Sequence, residues 1–175
     1  RLYESLGHGG FRVRIVGGDE GNAPPDYAAQ LESRIERAGL QGVVELVGPI
    51  PYTQVVREYQ RASAHVNLCP TGGMDKAVLE GMACGVPTLV RNQAFAALAG
   101  STHGLQIVRR DDAASISEQL RKIISKSGEE HMLLGNVLRC AVEHEFGLQQ
   151  FVLRLVEILR QAAQITNNSS GQDGI

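Results

Sequence analysis

Short runs of apolar, often β-branched residues alternate with longer segments whose apolar positions recur every three or four residues. The short runs predict strands and the longer segments predict helices. The predicted strands cover residues 12–16, 43–48, 65–70, 88–91 and 105–110. The helices between them are predicted at residues 27–38, 54–62, 76–84 and 94–99. Strands that alternate with helices are typical of a parallel sheet covered on both faces, so we expect an α/β fold.

The last third of the chain shows only helical periodicity. Residues 113–126, 129–145 and 148–163 predict three consecutive helices. Residues 165–175 are polar and rich in Asn, Ser and Gly, and we expect a disordered tail there. One domain is therefore expected to span residues 1–164.

Composition narrows the class of protein. Hydrophobic residues make up 43% of the 175 residues, enough for a core, and the net charge is −2. The basic residues are scattered, which argues against a nucleic-acid-binding surface. No apolar run approaches the roughly 20 residues that a membrane-spanning helix needs. Cys69, Cys84 and Cys140 form no metal-binding pattern, so we expect reduced, at least partly buried thiols in a cytoplasmic protein.

Two glycine-rich loops follow predicted strands: GGDEG after the first strand and PTGGMD after the third. In parallel α/β sheets, ligands bind beyond the carboxyl ends of the strands, where loops lead into helix N-termini. Gly72 and Gly73 leave backbone N–H groups open to close approach, and the helix that follows favours a phosphate group at its N-terminus. Asp75 is a candidate N-cap, and Thr53 is another for the second helix. Lys76 either adds a cation to this site or points into solvent.

Glu80 lies just over one turn into the helix after the second loop. Its neighbours Val78, Leu79 and Met82 are apolar, which places the carboxylate in a largely buried helix. A buried carboxylate needs a partner. Either it accepts hydrogen bonds from the two adjacent hydroxyls of a ribose, or it pairs with Lys76 or another basic residue and only stabilises the helix. The residues alone leave both interpretations open.

The segment DKAVLEGMACGVPTLV, after ASAHVNLCPTGG, resembles the donor-site segment of retaining glycosyltransferases of the GT-B fold, group 1 (family 4-like). Other segments are similar to landmarks of that family in the same order: FRVRIVGGDEG, RIERAGLQGVVELVGPIPYTQVVREYQRASAHVNL and RCAVEHEFGLQQFVLRLVEIL. The resemblance implies a Rossmann-like, doubly wound parallel sheet. It also implies that the complete enzyme transfers a hexose from a nucleotide-diphosphate sugar to an acceptor.

The resemblance further implies which residues bind the donor. Glu80 falls on the second acid of the family's paired-glutamate motif, which holds the donor ribose. The glycine loop contacts the sugar and diphosphate, and the turn after the second strand lies by the base. The implied donor-binding residues are Gly17, Gly18, Pro49, Ile50, Gly72, Gly73, Met74, Asp75, Lys76 and Glu80. No catalytic residue is identified, and no metal or cofactor is expected.

The implied partners are a UDP-, GDP- or ADP-sugar and an acceptor glycan, lipid or small molecule held by a separate N-terminal lobe. The implied location is the cytoplasm, and peripheral membrane association of the complete enzyme is compatible with the resemblance.

Two departures from the family pattern bear on function. The first acid of the paired motif belongs eight residues before Glu80, where this chain has Gly72. Either other residues recognise the donor sugar, or Asp75 takes the place of the missing acid. The family's first strand and helix, whose loop carries an Arg and a Lys for the diphosphate, are expected to precede Arg1. The chain is then a truncated lobe, inactive alone, and strands 12–16 and 65–70 must pair directly or leave exposed edges. The alternatives are an inactive nucleotide-binding module and a lobe of a sugar-nucleotide epimerase.

Overall fold

The computed structural model describes residues 10–18, 24, 26–70, 72–108 and 112–169. Five strands lie in this part of the chain: β1 (Val13–Val16), β2 (Val44–Gly48), β3 (His65–Asn67), β4 (Thr88–Val90) and β5 (Leu105–Ile107). Each falls within a predicted strand and is shorter than predicted. The shortening is greatest at the carboxyl end of β3, where the backbone leaves the sheet after Asn67, and residues 109 and 110 of the last predicted strand lie outside the described residues.

The predicted helices are all present in the described residues. They are α1 (Tyr27–Arg37), α2 (Tyr52–Gln60), α3 (Lys76–Ala83), α4 (Ala96–Ser101) preceded by a 3-10 turn (Gln93–Phe95), α5 (Ala113–Ile124), α6 (Gly128–Phe146) and α7 (Leu148–Ser169).

The predicted N-cap of α2 is wrong. Pro51, not Thr53, occupies the N-cap position, and its carbonyl accepts a hydrogen bond from the N–H of Gln54 at 2.8 Å. The fixed φ of proline suits a helix start, so α2 begins at Tyr52 and Thr53 lies inside its first turn.

The strands form two parallel sheets, β1–β2 and β3–β4–β5. Val13 lies opposite Val44 in the first sheet, and Val66 lies opposite Leu89 in the second. Among the described residues, β1 and β3 do not pair with each other, so each keeps one open edge. Ile15 of β1 and Val66 of β3 are both 41% exposed. Of the two expected outcomes, the structure therefore has exposed edges rather than direct pairing.

The core lies on both faces of the second sheet. Side chains alternate across a strand, so Leu89 and Val90 of β4 point to opposite faces. One cluster contains Val78, Met82, Val90, Phe95, Leu98, Leu105 and Leu138, and the other contains Leu89, Val108 and Ile123. Helices therefore cover both faces, as the α/β prediction requires. Val78 is the first fully buried residue along the described chain, so the first sheet has no such core.

Helix α2 connects the first sheet to α3. Arg14 of β1 donates a hydrogen bond from Nε to Glu58 Oε2 of α2 at 2.8 Å and also pairs with Glu45 of β2. The hydrogen bond from Arg14 is the main cause of the lowered pKa of Glu58. From the same helix, the Tyr59 hydroxyl donates to the carbonyl of Ala77 in α3 at 2.9 Å.

Helix α7 leaves large apolar side chains in solvent. More than half of the surface is exposed for Leu148, Phe151, Leu153, Ile158 and Leu159. The helix runs through Ser169, beyond residue 165, where the tail is predicted to begin. Residues 170–175 lie outside the described residues. In the described part of the chain, no helix is long and apolar enough to cross a membrane.

Candidate functional site

The second glycine-rich loop links the carboxyl end of β3 to the N-terminus of α3. Gly72 has φ +112°, a conformation that strains any residue with a side chain. A Cβ added at Gly72 or Gly73 would meet no atom within 4 Å, so this backbone is open to a ligand. Asp75 is the N-cap, as predicted, and its Oδ1 accepts a hydrogen bond from the N–H of Ala77 at 3.0 Å. The open loop thus lies at the positive end of a helix dipole.

Two asparagine side chains hold this loop, and neither is predicted from the sequence. Asn67, the last residue of β3, donates to Asp75 Oδ2 at 2.7 Å. Asn92, two residues after β4 and 5% exposed, donates from Nδ2 to the carbonyl of Gly73 at 2.9 Å. Asn67 ends β3 and Asn92 follows β4, and these two strands are neighbours in the sheet. A polar residue at each strand's carboxyl end is the sequence signal that identifies such positions.

Glu80 has two partners, one from its own helix and one from α2. Lys76 Nζ lies 3.4 Å from Glu80 Oε1, and the Tyr52 hydroxyl donates to the same oxygen at 3.4 Å. The Lys76 pairing that the sequence left open therefore forms. Lys76 is mostly exposed, and such pairs contribute only about 0–1 kcal/mol, so this contact does not commit the carboxylate to a structural role. The Glu80 side chain is 26% exposed and accessible to a ligand.

Of the remaining predicted residues, Met74 lies exposed in the glycine-rich loop, and the other four gather at the carboxyl ends of β1 and β2. These four are Gly17, Gly18, Pro49 and Ile50. The N–H of Gly17 donates to the carbonyl of the last residue of β2 at 2.9 Å, and a Cβ added at Gly18 would lie 3.6 Å from Pro49. This turn leads into α2, whose first residue, Tyr52, contacts Glu80. The predicted site residues therefore form two groups, one at each sheet, and Tyr52 joins them.

Helix α3 ends at Ala83, one residue before its predicted end. Gly85 has φ +75°, and the N–H of Val86 donates to the carbonyl of Gly81 at 3.0 Å. This is the hydrogen-bond pattern of a glycine C-terminal cap. Arg139 of α6 donates to the carbonyl of Ala83 at 3.1 Å, so the end of α3 is tied to the core.

A groove of about 140 Å³ lies beside Glu80, between α2 and α3. It is lined by Tyr52, Val55, Val56, Tyr59, Glu80, Ala83 and Cys84. Burial raises the pKa of Tyr59 to about 12 and also raises the pKa of Cys84. Both groups therefore stay neutral near pH 7, and Glu80 supplies the charge of this lining.

The cysteines differ from expectation in their burial. Cys84 is half-buried, but Cys69 and Cys140 are exposed, so the predicted partial burial is wrong for those two. Cys69 lies in the loop after β3, and Cys140 lies on the solvent side of α6. Within the described ranges, no group of three or more His, Cys, Asp and Glu side chains is placed to hold a metal ion.

A larger cleft, of about 600 Å³, lies at the opposite edge of the second sheet. Pro87 and Gly104, which line it, directly precede β4 and β5 and so mark the amino ends of these strands. Its lysines, Lys122 and Lys126, each pair with a nearby glutamate. Ligands of parallel sheets bind at the carboxyl ends, so the glycine loop, not this larger cleft, is the candidate site.

Residues 2–126 of the chain match the sequence model of a family described as "Glycosyl transferases group 1". No curated protein matches the chain at a significant level.

Three solved structures illustrate the similarity of fold. HepE from Anabaena, crystallised in complex with UDP, is 16% identical, covers 91% of this chain and superposes with a TM-score of 0.71. Sucrose-phosphate synthase from Thermosynechococcus elongatus is 22% identical, covers 88% and has a TM-score of 0.70. A glycosyltransferase from Rickettsia africae is 15% identical, covers 91% and has a TM-score of 0.73. The matches take in 44%, 39% and 42% of those chains, so this chain spans less than half the length of each.

Proposed function

This chain belongs to the group 1 glycosyl transferases, and on that premise we propose that it binds the nucleotide-sugar donor of such an enzyme. The diphosphate lies at the loop of residues 72–76 and the N-terminus of α3, and the ribose lies at Glu80. The complete enzyme transfers a hexose from this donor to an acceptor. Family membership favours this reading over the epimerase alternative.

One observation carries the proposal: an open glycine loop, a capped helix N-terminus and a half-buried carboxylate follow one another at the carboxyl edge of the sheet. Backbone N–H groups and the helix dipole favour a diphosphate. Lys76, mostly exposed at the start of α3, adds a positive charge there. Glu80, about one helical turn further on, accepts hydrogen bonds from ribose hydroxyls. We expect neither metal nor cofactor in this site, an expectation that rests on the family resemblance.

Replacing Glu80 with alanine tests the ribose contact. We expect Glu80→Ala to weaken nucleoside diphosphate binding by about 1.5–3 kcal/mol, the range for a hydrogen bond to a charged group. Isothermal titration calorimetry on the protein as its gene encodes it measures the effect. Glu118→Ala is the matched control, because Glu118 also pairs with a lysine one turn away but lies on α5, outside the site. Unchanged affinity with an intact fold would contradict the ribose assignment.

The base of the donor is proposed to lie beside Pro49 and Ile50, where the turn after β2 leads into α2. That HepE was crystallised with UDP supports a uridine nucleotide as the first to test. UDP-, GDP- and ADP-sugars form the panel, with ligand-observed NMR as the measurement. The acceptor, the cytoplasmic location and a peripheral membrane association stay predictions from the sequence.

A second candidate function is nucleotide binding without sugar transfer. Gly72 favours it, because this position falls on the first acid of the family motif and its backbone, at φ +112°, suits glycine alone. A transfer or donor-hydrolysis assay on the protein that binds a nucleotide sugar distinguishes the two. Binding with no turnover over a broad acceptor panel would support the second candidate.

A further inference from the structure

We infer that Tyr52 is a positioning residue of the donor site, whose hydroxyl holds the Glu80 carboxylate in the orientation that binds a ribose. This inference rests on the proposed function and deepens it. Tyr52 is not among the donor-binding residues that the sequence predicts. It is the first residue of α2, directly after the turn proposed to lie by the base.

The exposure of Tyr52 shows that core packing does not explain its placement. The residue is 70% exposed, so its ring gains little from apolar burial. Its hydroxyl nevertheless reaches across to α3 and donates to Glu80 Oε1 at 3.4 Å. That distance exceeds the usual range of about 2.5–3.0 Å for such a bond. Catalytic hydrogen bonds in ligand-free enzymes are often long in the same way and tighten when the ligand binds.

Lys76 reinforces the same arrangement. Its Nζ lies 3.4 Å from Glu80 Oε1 and 5.1 Å from the centroid of the Tyr52 ring. The ammonium therefore attracts both the carboxylate and the electron-rich face of the ring. The Tyr52 hydroxyl and the Lys76 ammonium, from two different helices, thus both contact one oxygen of Glu80. None of the described residues donates a hydrogen bond to Glu80 Oε2, so this oxygen is left for a ribose hydroxyl.

The groove beside this cluster is lined, apart from Glu80, by neutral side chains, mostly of α2 and α3. A carboxylate already held on one side loses less rotational freedom when the nucleoside arrives. Removing the Tyr52 hydroxyl therefore weakens the contact with the ribose and leaves the diphosphate contacts unchanged.

Titration calorimetry on the protein as its gene encodes it tests this inference with Tyr52→Phe, which keeps the ring and removes the hydroxyl. The probe is whichever of UDP, GDP and ADP binds most tightly, together with its 2′-deoxy form. We expect about three- to tenfold weaker binding of the ribonucleotide and a smaller loss for the deoxy form. In a Glu80→Gln background, Tyr52→Phe should cause no further loss. Tyr27→Phe, at the start of α1, is the control and should bind normally.

The outcomes separate this inference from the proposed function. If Glu80→Gln weakens binding but Tyr52→Phe does not, the positioning role is overturned and the ribose assignment stands. An equal loss for both nucleotides, or additive losses in the double variant, overturns the positioning role as well. If Glu80→Gln binds normally, the ribose assignment fails and the inference fails with it.

Discussion

At the scale of single residues, the two adjacent glycines before α3 are glycine for different reasons. Gly72 has φ +112°, so its backbone excludes other residues. Gly73 lies outside that region and has open space around it, so its lack of a side chain leaves the backbone accessible. A glutamate at Gly72, as the family motif has there, would strain this loop. An acid introduced at this position would therefore have to change the conformation of this loop as well as add a side chain.

This difference predicts that substitution of Gly73 mainly affects ligand binding, whereas substitution of Gly72 affects the stability of the fold. Gly73→Val should weaken nucleoside diphosphate binding about tenfold or more, because the new side chain covers the N–H groups of the loop. The urea midpoint should stay nearly unchanged, because the space around Gly73 is open. Gly72→Val should lower the free energy of unfolding by about 1–3 kcal/mol through backbone strain. Urea titration and calorimetry on both variants measure the two effects. Equal losses of stability and binding in Gly73→Val would instead make it a purely structural glycine.

The features of the site that the sequence predicts are the local ones. The cap at Asp75 and the position of Glu80 about one turn later are predictable because both depend only on neighbouring residues of the chain. The hydrogen bond from Asn92 to Gly73 joins two loops, and the one from Tyr52 to Glu80 joins two helices. Such contacts depend on how elements pack, which periodicity and spacing do not specify.

At the scale of elements, β3, α2 and α3 meet at a half-buried histidine. His65 opens β3 and packs edge-on against Tyr59 of α2, with ring centroids 5.3 Å apart. A Cβ at Gly81 of α3 would lie 2.8 Å from His65 Nδ1, so glycine is needed for this close approach. No described residue bonds that nitrogen. Burial lowers the pKa of His65, and the charge of Asp75 offsets this only in part.

The lowered pKa predicts that His65 makes the fold less stable in mild acid. The unfolded chain binds a proton near pH 6.5 and the folded chain binds it only at lower pH, so stability is lost as pH falls from about 6.5 through the folded-state value. Between pH 7.5 and pH 5.5, the urea midpoint should fall further for the wild type than for His65→Gln, whose side chain cannot titrate. His103→Gln, at an exposed turn of the chain, is the control. Identical pH dependence in wild type and His65→Gln would contradict the prediction.

The elements themselves are largely predictable, and their pairing is not. Every described strand and helix overlaps a predicted one, because apolar periodicity is a property of neighbouring residues in the chain. The N-cap of α2 is missed because both Pro51 and Thr53 are acceptable helix starts in sequence. Strand order depends on contacts between residues far apart in the chain. The family resemblance, not the pattern, supplies the expectation that β1 and β3 either pair directly or leave exposed edges.

At the scale of the whole molecule, the described chain leaves much apolar surface in solvent. The core surrounds only the second sheet, while β1 and β3 each keep an open edge. Helix α7 adds a further run of exposed leucine, isoleucine and phenylalanine side chains. Open apolar edges are templates for pairing with another chain, and large apolar patches favour association.

This surface predicts that the 175-residue chain, expressed alone, associates as its concentration rises. Ile15→Lys should raise the concentration at which association begins, because a charge in the middle of β1 opposes pairing at its open edge. Leu133→Lys makes the same change of charge on the exposed surface of α6, away from either edge. Sedimentation velocity over a concentration series compares both variants with the wild type, and urea titration confirms that each is folded. A larger effect of Ile15→Lys assigns the association to the strand edge. Equal effects would attribute it to net charge, and a monomeric wild type at all concentrations would show that the open edges do not pair.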